Sequence, residues 1–290
     1  MTSPAQIFQG KVAVVTGGNG GIGREIALLL GERGASVVVN DLCSASDGDG
    51  RSSARAEETA KMIAKAGGKA AVSIESVSTW ASAQRIIETA LDQFGRIDIV
   101  INNAGILRWA PFWEMPPEDF EAVLDAHLSG SFFVSRAAAL YFMAQRGSAF
   151  VHMTSASGLM GVPNQAYYCA AKAGIVGLSR DITLDMKHFG VRSNCMAPFA
   201  YTRMAREIPE GDLMTPLVLL NYDSTGIGRQ SGRFRGTIQP QRHRDQFLLQ
   251  ILLDVPLARR LDSAVRGHGP RHRAFPPSTN RSRYRRHPGP

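Results

Sequence analysis

Short runs of apolar residues alternate along most of the chain with longer segments in which apolar residues recur on one helical face. The short runs are rich in valine and isoleucine, which is typical of strands buried on both faces of a parallel sheet. We predict strands at residues 12–15, 36–39, 70–74, 97–102, 150–154 and 191–196, and helices at 22–30, 54–66, 81–94, 117–145 and 165–188. This alternation predicts an α/β fold, a doubly wound parallel sheet of the Rossmann type.

The alternation ends near Leu220, where the composition changes. Residues 221–290 hold 14 of the 33 basic side chains, all of them arginine, together with 4 of the 25 acidic ones and 7 of the 15 prolines. A segment with so little apolar surface does not offset the entropy lost on ordering. We therefore predict one α/β domain over residues 1–220, whose sheet could lack its final strands, and a mostly disordered tail over residues 221–290.

The net charge of +8 belongs to the tail rather than to the body. Residues 1–220 carry 19 basic and 21 acidic side chains, a net charge of −2, and residues 221–290 carry +10. An acidic body gives no electrostatic reason to expect nucleic-acid or membrane binding. No apolar run is long enough for a membrane span, and the N-terminus lacks the pattern of a signal peptide. With only three cysteines, these features predict a cytoplasmic protein, and no metal site is indicated.

A glycine cluster follows the first predicted strand and precedes the first helix. It reads Thr16-Gly17-x-x-x-Gly21-x-Gly23, and its glycines would let backbone N–H groups approach a pyrophosphate at the positive end of the helix. Asp41 stands at the end of the second strand, where a carboxylate can accept hydrogen bonds from a ribose 2′-OH. A flexible glycine turn and an ordinary surface aspartate are the alternatives.

A tyrosine and a lysine, Tyr168 and Lys172, stand four positions apart on one predicted helix face. An adjacent ammonium can lower the pKa of a phenol and fit it for proton transfer. Ser155, at the end of the preceding strand, could donate a hydrogen bond to a substrate oxygen. All three would lie at the carboxyl edge of the sheet, where ligands bind in this architecture. Tyr167 and Ser157 are a second tyrosine and a second serine close to Tyr168 and Ser155, but they lack the four-residue offset to a lysine and the same spacing from each other.

These motifs, with Asn102-Asn103-Ala104-Gly105, resemble the short-chain dehydrogenase/reductase family from about Gly10 to Met204. The resemblance implies that Tyr168 is the catalytic acid/base, that Lys172 lowers its pKa and holds the nicotinamide ribose, and that Ser155 orients the substrate oxygen. It further implies a cofactor site formed by Gly17, Asn19, Gly21, Ile22, Gly23, Asp41, Ser76, Val77, Asn103, Ala104, Gly105, Thr154, Tyr168, Lys172, Pro198 and Thr202.

The chain departs from the family pattern at His127, at Ser76 and at Phe199, which replaces a glycine after Pro198 and narrows the nicotinamide side. His127 stands where the family usually has an asparagine that anchors a water relay, and Ser76 replaces an aspartate expected near the adenine. Histidine at the first position, together with the phrase Asn40-Asp41-Leu42, resembles the (3R)-hydroxyacyl-CoA dehydrogenase module of peroxisomal multifunctional enzymes. A neutral imidazole could hold the same water, so His127 joins the catalytic candidates; a packed helix histidine is the alternative.

The C-terminal part does not resemble the family's final strands, which commonly build its dimers and tetramers. A family-type homo-oligomer is therefore in doubt, and we expect an unpaired sheet edge that favours aggregation. The fractions of arginine, proline and histidine are all higher there than in the rest of the chain, and lysine is absent. A GC-rich gene read in a shifted frame gives this composition. Resequencing around codons 210–225 tests that hypothesis.

The resulting prediction is an NAD-dependent oxidoreductase that transfers a hydride between the nicotinamide and a secondary alcohol or ketone, with a 3-hydroxyacyl or steroid-like compound among the possible substrates. Asp41 favours NAD over NADP, because its carboxylate would repel a 2′-phosphate. Substrate identity is not readable, although Arg108, Trp109, Phe112 and Trp113 suggest an aromatic-lined pocket. The alternative is a weakly catalytic dinucleotide-binding protein whose basic tail binds nucleic acid.

Overall fold

The fold is set by six parallel strands; the side chains of five of them are almost all buried, and those of the edge strand at residues 69–73 are mostly half-buried. The structure is a computed structural model, which describes residues 6–42 and 53–198 and the backbone of two further strands at 218–222 and 228–230. The parallel strands are β1 (Val12–Thr16), β2 (Ser36–Asn40), β3 (Lys69–Ser73), β4 (Ile99–Asn102), β5 (Ala149–Met153) and β6 (Arg192–Ala197). Their order in the sheet begins β3-β2-β1-β4-β5-β6. The chain adds strands first on one side of β1 and then on the other, which confirms the doubly wound topology.

Helices cover both faces of this sheet. They are α1 (Gly21–Glu32), α2 (Ala54–Lys65), α3 (Trp80–Phe94), α4 (Pro117–Leu124), α5 (Gly130–Gln145), α6 (Ser157–Met160) and α7 (Ala166–Met186). One buried cluster joins α1 and α2 to one side of the strands, and a second joins α3 and α5 to the other side. In the described ranges, no helix is both long enough and apolar enough to span a membrane.

The helix predicted over residues 117–145 is two helices joined by a π turn. The π turn covers Asp125–Ser129, and the N–H of Gly130 bonds to the carbonyl of Asp125. Such a turn inserts an extra residue into the helical path and changes the direction in which its side chains point. It carries His127. The short helix α6 was also absent from the sequence prediction, because four residues give too little periodicity to identify.

The edge of β6 is paired in the described backbone, contrary to the expectation of an open edge. Strand β7 (Val218–Tyr222) runs antiparallel beside β6, with Cys195 opposite Leu220 and Ala197 opposite Val218, and β8 (Gly228–Gln230) pairs with β7. Main-chain pairing of this kind satisfies the backbone groups that an open edge would expose. The tail beyond Gln230 lies outside the described residues, so its predicted disorder and the shifted-frame hypothesis stay predictions.

Candidate active site

The glycine turn between β1 and α1 has a backbone that only glycine accommodates. Gly17 lies in the left-handed region at φ +66°, and a Cβ on Gly23 would stand 2.1 Å from the carbonyl oxygen of Gly17. Gly20 precedes α1, and no side chain caps this helix end. Close backbone approach beside uncapped N–H groups suits a pyrophosphate, so the turn fits the dinucleotide predicted for it.

Hydrogen bonds to the residues that follow the neighbouring strand β4 stabilise the turn. The hydroxyl oxygen of Thr16 accepts hydrogen bonds from the backbone N–H groups of Asn103 and Ala104, both at 3.0 Å. The Asn103 side-chain amide donates to the carbonyls of Thr16 at 3.0 Å and Gly17 at 3.1 Å. Asn103 therefore holds the glycine turn in shape. Thr16 was quoted in the sequence motif but not chosen as a site residue, since its partners are 87 and 88 positions away.

Asp41 lies beside the glycine turn, at the carboxyl end of β2. Its carboxylate accepts a hydrogen bond from the backbone N–H of Asn19 at 3.4 Å. The neighbouring strand β3 ends just before Ser76 and Val77. The Ser76 hydroxyl oxygen accepts from the N–H of Ser78 at 3.1 Å, while Val77 is buried. These positions follow the carboxyl ends of adjacent strands, as the sequence predicted.

Tyr168 and Lys172 project from α7 towards the end of β5. The Lys172 ammonium is buried and donates to the carbonyl of Met153 at 2.5 Å. It lies 5.4 Å from the centre of the Tyr168 ring. The Thr154 hydroxyl fixes the same helix by donating to the carbonyl of Lys172 at 2.7 Å. Strand β5 and helix α7 therefore hold the tyrosine–lysine pair together.

Burial dominates the electrostatics of this pair. Burial raises the pKa of the Tyr168 phenol, and the hydrogen bond with the Ser155 hydroxyl only partly opposes that rise. Burial lowers the pKa of Lys172 to about 7. The lowering of the Tyr168 pKa by the Lys172 ammonium stays a prediction.

His127 lies against Tyr168 from the π turn. The two rings meet edge to face, with centroids 5.3 Å apart. The Nε2 atom of His127 lies 2.7 Å from the carbonyl oxygen of Ile106 and 3.1 Å from its N–H, whereas Nδ1 is buried with no partner. Burial and then the charge of Lys172 lower the pKa of His127 to about 3. The imidazole is therefore neutral: its Nε2 atom bonds to one of the two Ile106 backbone groups, according to the tautomer, and the buried Nδ1 atom has no partner.

Tyr167 and Ser157, the second tyrosine and serine of this region, do not take the places of Tyr168 and Ser155. Tyr167 is fully buried among Val123 and Ala171, and its hydroxyl has no hydrogen-bond partner. Ser157 opens α6, and its N–H donates to the Ser155 hydroxyl oxygen at 3.2 Å. Tyr167 is a core residue. Ser157 helps to orient Ser155, a role that the sequence did not suggest.

The structure thus gathers Ser155, Tyr168, Lys172 and His127 into one cluster at the carboxyl edge of the sheet. The predicted cofactor residues follow the ends of the parallel strands at that edge, with Pro198 directly after β6. Thr202, the last residue predicted for the cofactor site, lies outside the described residues, as does Phe199.

Comparison with known proteins decides the family. The family model for short chain dehydrogenases matches residues 11–212. The chain belongs to the short-chain dehydrogenase/reductase family. A short-chain type dehydrogenase/reductase of Mycobacterium tuberculosis is 46% identical over 209 residues, which cover 72% of this chain and 73% of that protein. Among solved structures, a short-chain alcohol dehydrogenase from Sinorhizobium meliloti has a TM-score of 0.65 and 28% identity, covering 72% of this chain and 80% of that one.

Multifunctional proteins are also among the relatives. The peroxisomal hydratase-dehydrogenase-epimerase of Neurospora crassa is 43% identical over 207 residues, which cover 71% of this chain but only 23% of that protein. The short-chain dehydrogenase/reductase described here therefore spans about a quarter of that relative's length. As a member of this family the protein is an oxidoreductase, and the family typically uses NAD or NADP.

Proposed function

We propose that this short-chain dehydrogenase/reductase uses NAD to interconvert a secondary alcohol and a ketone, with a 3-hydroxyacyl or steroid-like compound as the first substrate class to test. The observation that carries the proposal is the cluster of Ser155, Tyr168 and Lys172 at the sheet edge beside a glycine turn suited to a pyrophosphate. The nicotinamide, when bound, supplies or accepts the hydride. Its site would be formed by the residues predicted for it at the strand ends.

The side chains of the cluster divide the proton chemistry among them. Tyr168 donates its phenolic proton to the carbonyl oxygen in reduction and takes the proton back in alcohol oxidation. The Ser155 hydroxyl, which bonds to Tyr168, orients that oxygen. Lys172, held by the carbonyl of Met153, stabilises the phenolate by its charge when it is protonated. His127 keeps the Ile106 backbone in place at the substrate side of the cluster.

The preference for NAD rests on Asp41 and its surroundings. The Asp41 carboxylate accepts from the Asn19 N–H, at the glycine turn where an adenosine ribose would lie. Arg24, which contacts the carbonyl of Asn19 at 3.0 Å, is paired with Glu58 at 3.1 Å. Its charge is therefore already compensated. A free ribose 2′-OH suits this site better than a 2′-phosphate.

Steady-state turnover of a panel of secondary alcohols with NAD and with NADP tests the proposal. We expect kcat/KM to be higher with NAD than with NADP. In Asp41→Ala the ratio of these two values should be smaller. Asp92→Ala, at an exposed position on α3, is the matched control and should leave the preference unchanged. Equal or better use of NADP by the unaltered protein would show that the assignment of Asp41 is wrong.

The proposed setting is the cytoplasm. Cys169 and Cys195, the two cysteines within the described ranges, are free thiols, as suits a reducing compartment. The proposed partner is a small-molecule alcohol or ketone rather than a membrane or a nucleic acid.

A further inference from the structure

Asn40 places a polar side chain among apolar ones at the end of strand β2. It is 1% exposed, and the three valines before it are fully buried. A buried amide costs free energy unless it is hydrogen-bonded. The atoms to which Asn40 bonds therefore show what this side chain holds in place.

The Asn40 side chain fixes the chain where it leaves strand β3. Its amide nitrogen lies 2.9 Å from the carbonyl oxygen of Glu75, 3.2 Å from that of Ser73 and 3.3 Å from the Ser73 hydroxyl oxygen. An amide group has two N–H donors, so it can bond to both carbonyls at once. These carbonyls lie at the end of β3 and two residues beyond it. The amide therefore determines the path of the chain there.

The backbone of the same residue is bonded to the glycine turn. The Asn40 carbonyl accepts a hydrogen bond from the N–H of Gly18 at 3.0 Å. A Cβ on Gly18 would stand 2.9 Å from Cγ1 of Val39, so the turn and the strand are in close contact. The next residue, Asp41, donates its N–H to the carbonyl of Ser73 at 3.0 Å. Asn40 thus joins the glycine turn, Asp41 and the segment after β3.

The segment after β3 is held at its other end by helix α3. The Glu75 carboxylate pairs with Arg85 of that helix at 2.7 Å. The Thr79 hydroxyl caps the helix by accepting from the N–H of Ser82 at 3.3 Å. Because the ion pair is partly exposed, it contributes little to stability, whereas the buried bonds of the Asn40 amide are shielded from water. The position of the segment therefore depends mainly on Asn40.

We propose that Asn40 is a positioning residue for the adenosine half of the bound dinucleotide. Its amide holds the segment that carries Ser76 and Val77, two residues predicted for the cofactor site, and its backbone holds Asp41 beside the glycine turn. The inference rests on the proposed function. Since Asn40 is buried, it acts through these neighbours rather than by contact with the cofactor. A preformed segment binds its ligand without the cost of ordering it, so loss of the amide weakens binding.

The effect should be confined to one half of the dinucleotide. Tyr168 and Lys172 stand on α7, and Lys172 bonds to the carbonyl of Met153 on β5. Strand β5 is separated from β2 by β1 and β4 in the sheet. Loss of the Asn40 amide should therefore weaken binding of the adenosine half and spare the nicotinamide half, whereas a general loss of structure would weaken both.

Displacement of NADH from the full chain by AMP and by nicotinamide mononucleotide, followed by NADH fluorescence, measures the two halves separately. In Asn40→Val, which removes the donor, the dissociation constants of AMP and NADH should rise roughly fivefold to tenfold, and that of nicotinamide mononucleotide by less than about twofold. Asn40→Ser, whose hydroxyl can donate one hydrogen bond, should give a smaller rise for AMP. It carries the test by itself if Asn40→Val does not fold.

Gln145→Ala is the matched control. The Gln145 amide donates to the carbonyls of Ile97 at 2.7 Å and Tyr141 at 3.1 Å. This variant also loses bonds from an amide to carbonyls, but beside the start of β4, at the edge of the sheet opposite the candidate active site. Urea unfolding should show reduced stability in both variants. The dissociation constants of AMP and nicotinamide mononucleotide should stay within about twofold in Gln145→Ala.

Equal rises for AMP and nicotinamide mononucleotide in the Asn40 variants, or no rise for AMP in either variant, would overturn the proposal. A selective rise for AMP without turnover of any secondary alcohol would keep the positioning role and reject the proposed function. Turnover with NAD and an unchanged constant for AMP would keep the proposed function and reject the positioning role. Failure of the unaltered protein to bind NADH would reject both.

Discussion

Tyr168 and Tyr167 are adjacent on α7, yet their hydroxyl groups lie in different surroundings. The Tyr168 hydroxyl meets Ser155, and its ring lies between Lys172 and His127. The Tyr167 hydroxyl has no partner, and burial raises the pKa of that group to about 12. Since helical neighbours point about 100° apart, one position faces the cluster and the next faces the core.

Tyr168→Phe should lower kcat by about 10²–10⁴-fold with little change in the dissociation constant of NAD, because only the proton-transfer group is lost. Stopped-flow or steady-state kinetics measure the first quantity, and calorimetric titration the second. Tyr167→Phe is the matched control. It removes a buried hydroxyl that makes no hydrogen bond, so turnover should stay within about threefold and the protein should be no less stable. Comparable losses in both variants would place the proton transfer elsewhere.

Between elements, the turn after β4 and the π turn depend on each other. A Cβ on Gly105 would stand 2.0 Å from Cε1 and 2.5 Å from Nδ1 of the His127 ring. The ring also bonds to Ile106, the next residue along the turn. The glycine of the Asn-Asn-Ala-Gly motif is therefore needed because of what packs against it, and a histidine at 127 fills the space above it.

Gly105→Ala should destabilise the protein by roughly 1–3 kcal/mol, because the new methyl group overpacks the His127 ring. The same change in a His127→Ala background should cost at least about 1 kcal/mol less, since the ring is gone. Urea unfolding of the two single variants and the double variant measures this coupling.

Gly177→Ala is the control for that experiment. A Cβ there meets nothing within 4 Å, so the change should be neutral or stabilising by up to about 1 kcal/mol. Equal costs of Gly105→Ala in both backgrounds would mean that the contact with His127 does not select glycine.

At the scale of the whole molecule, two buried neutral histidines make the fold sensitive to acid. Burial lowers the pKa of His152 to about 3, and burial together with Lys172 does the same for His127. His152 is enclosed in a polar network: Nδ1 lies 3.2 Å from the Asn102 amide, and Nε2 lies 3.1 Å from the Ser193 hydroxyl. Protonation of either ring is disfavoured while the protein is folded.

The sign of the pH dependence follows from these pKa values. Between pH 6.5 and 3 the unfolded chain binds more protons at these rings, so the free energy of unfolding falls as the pH is lowered. Each ring contributes up to about 1.4 kcal/mol per pH unit, or about 2 kcal/mol between pH 7 and 5. Urea unfolding at pH 7, 6 and 5 measures the change.

A variant without one of the rings separates this effect from general acid destabilisation. His152→Gln should remove about half of the loss between pH 7 and 5, whatever its stability at pH 7. His188→Gln, at an exposed position, should leave the loss unchanged. A pH dependence that is the same in all three proteins would show that the buried histidines do not govern it.

The doubly wound parallel sheet, and the sheet edge at which the candidate residues lie, could be predicted from the sequence for a local reason. Each parallel strand is a short apolar run, and each glycine or polar residue that matters follows such a run. Parallel strands bring those ends to one edge. Val12–Thr16 with its glycine turn, Asp41 after β2, and Ser155 after β5 were found in this way.

Other features were decided only by the tertiary structure, because they depend on burial and on contacts between distant positions. Thr16 and Asn103, 87 positions apart, lock the glycine turn to β4. Burial raises the pKa of Tyr168, and the position of Tyr168 in the sequence does not show that burial. The π turn that directs His127 at Gly105 leaves no periodic signal in the sequence. The types of side chain can be read from the sequence. Their desolvation and packing depend on contacts that form only in the folded protein.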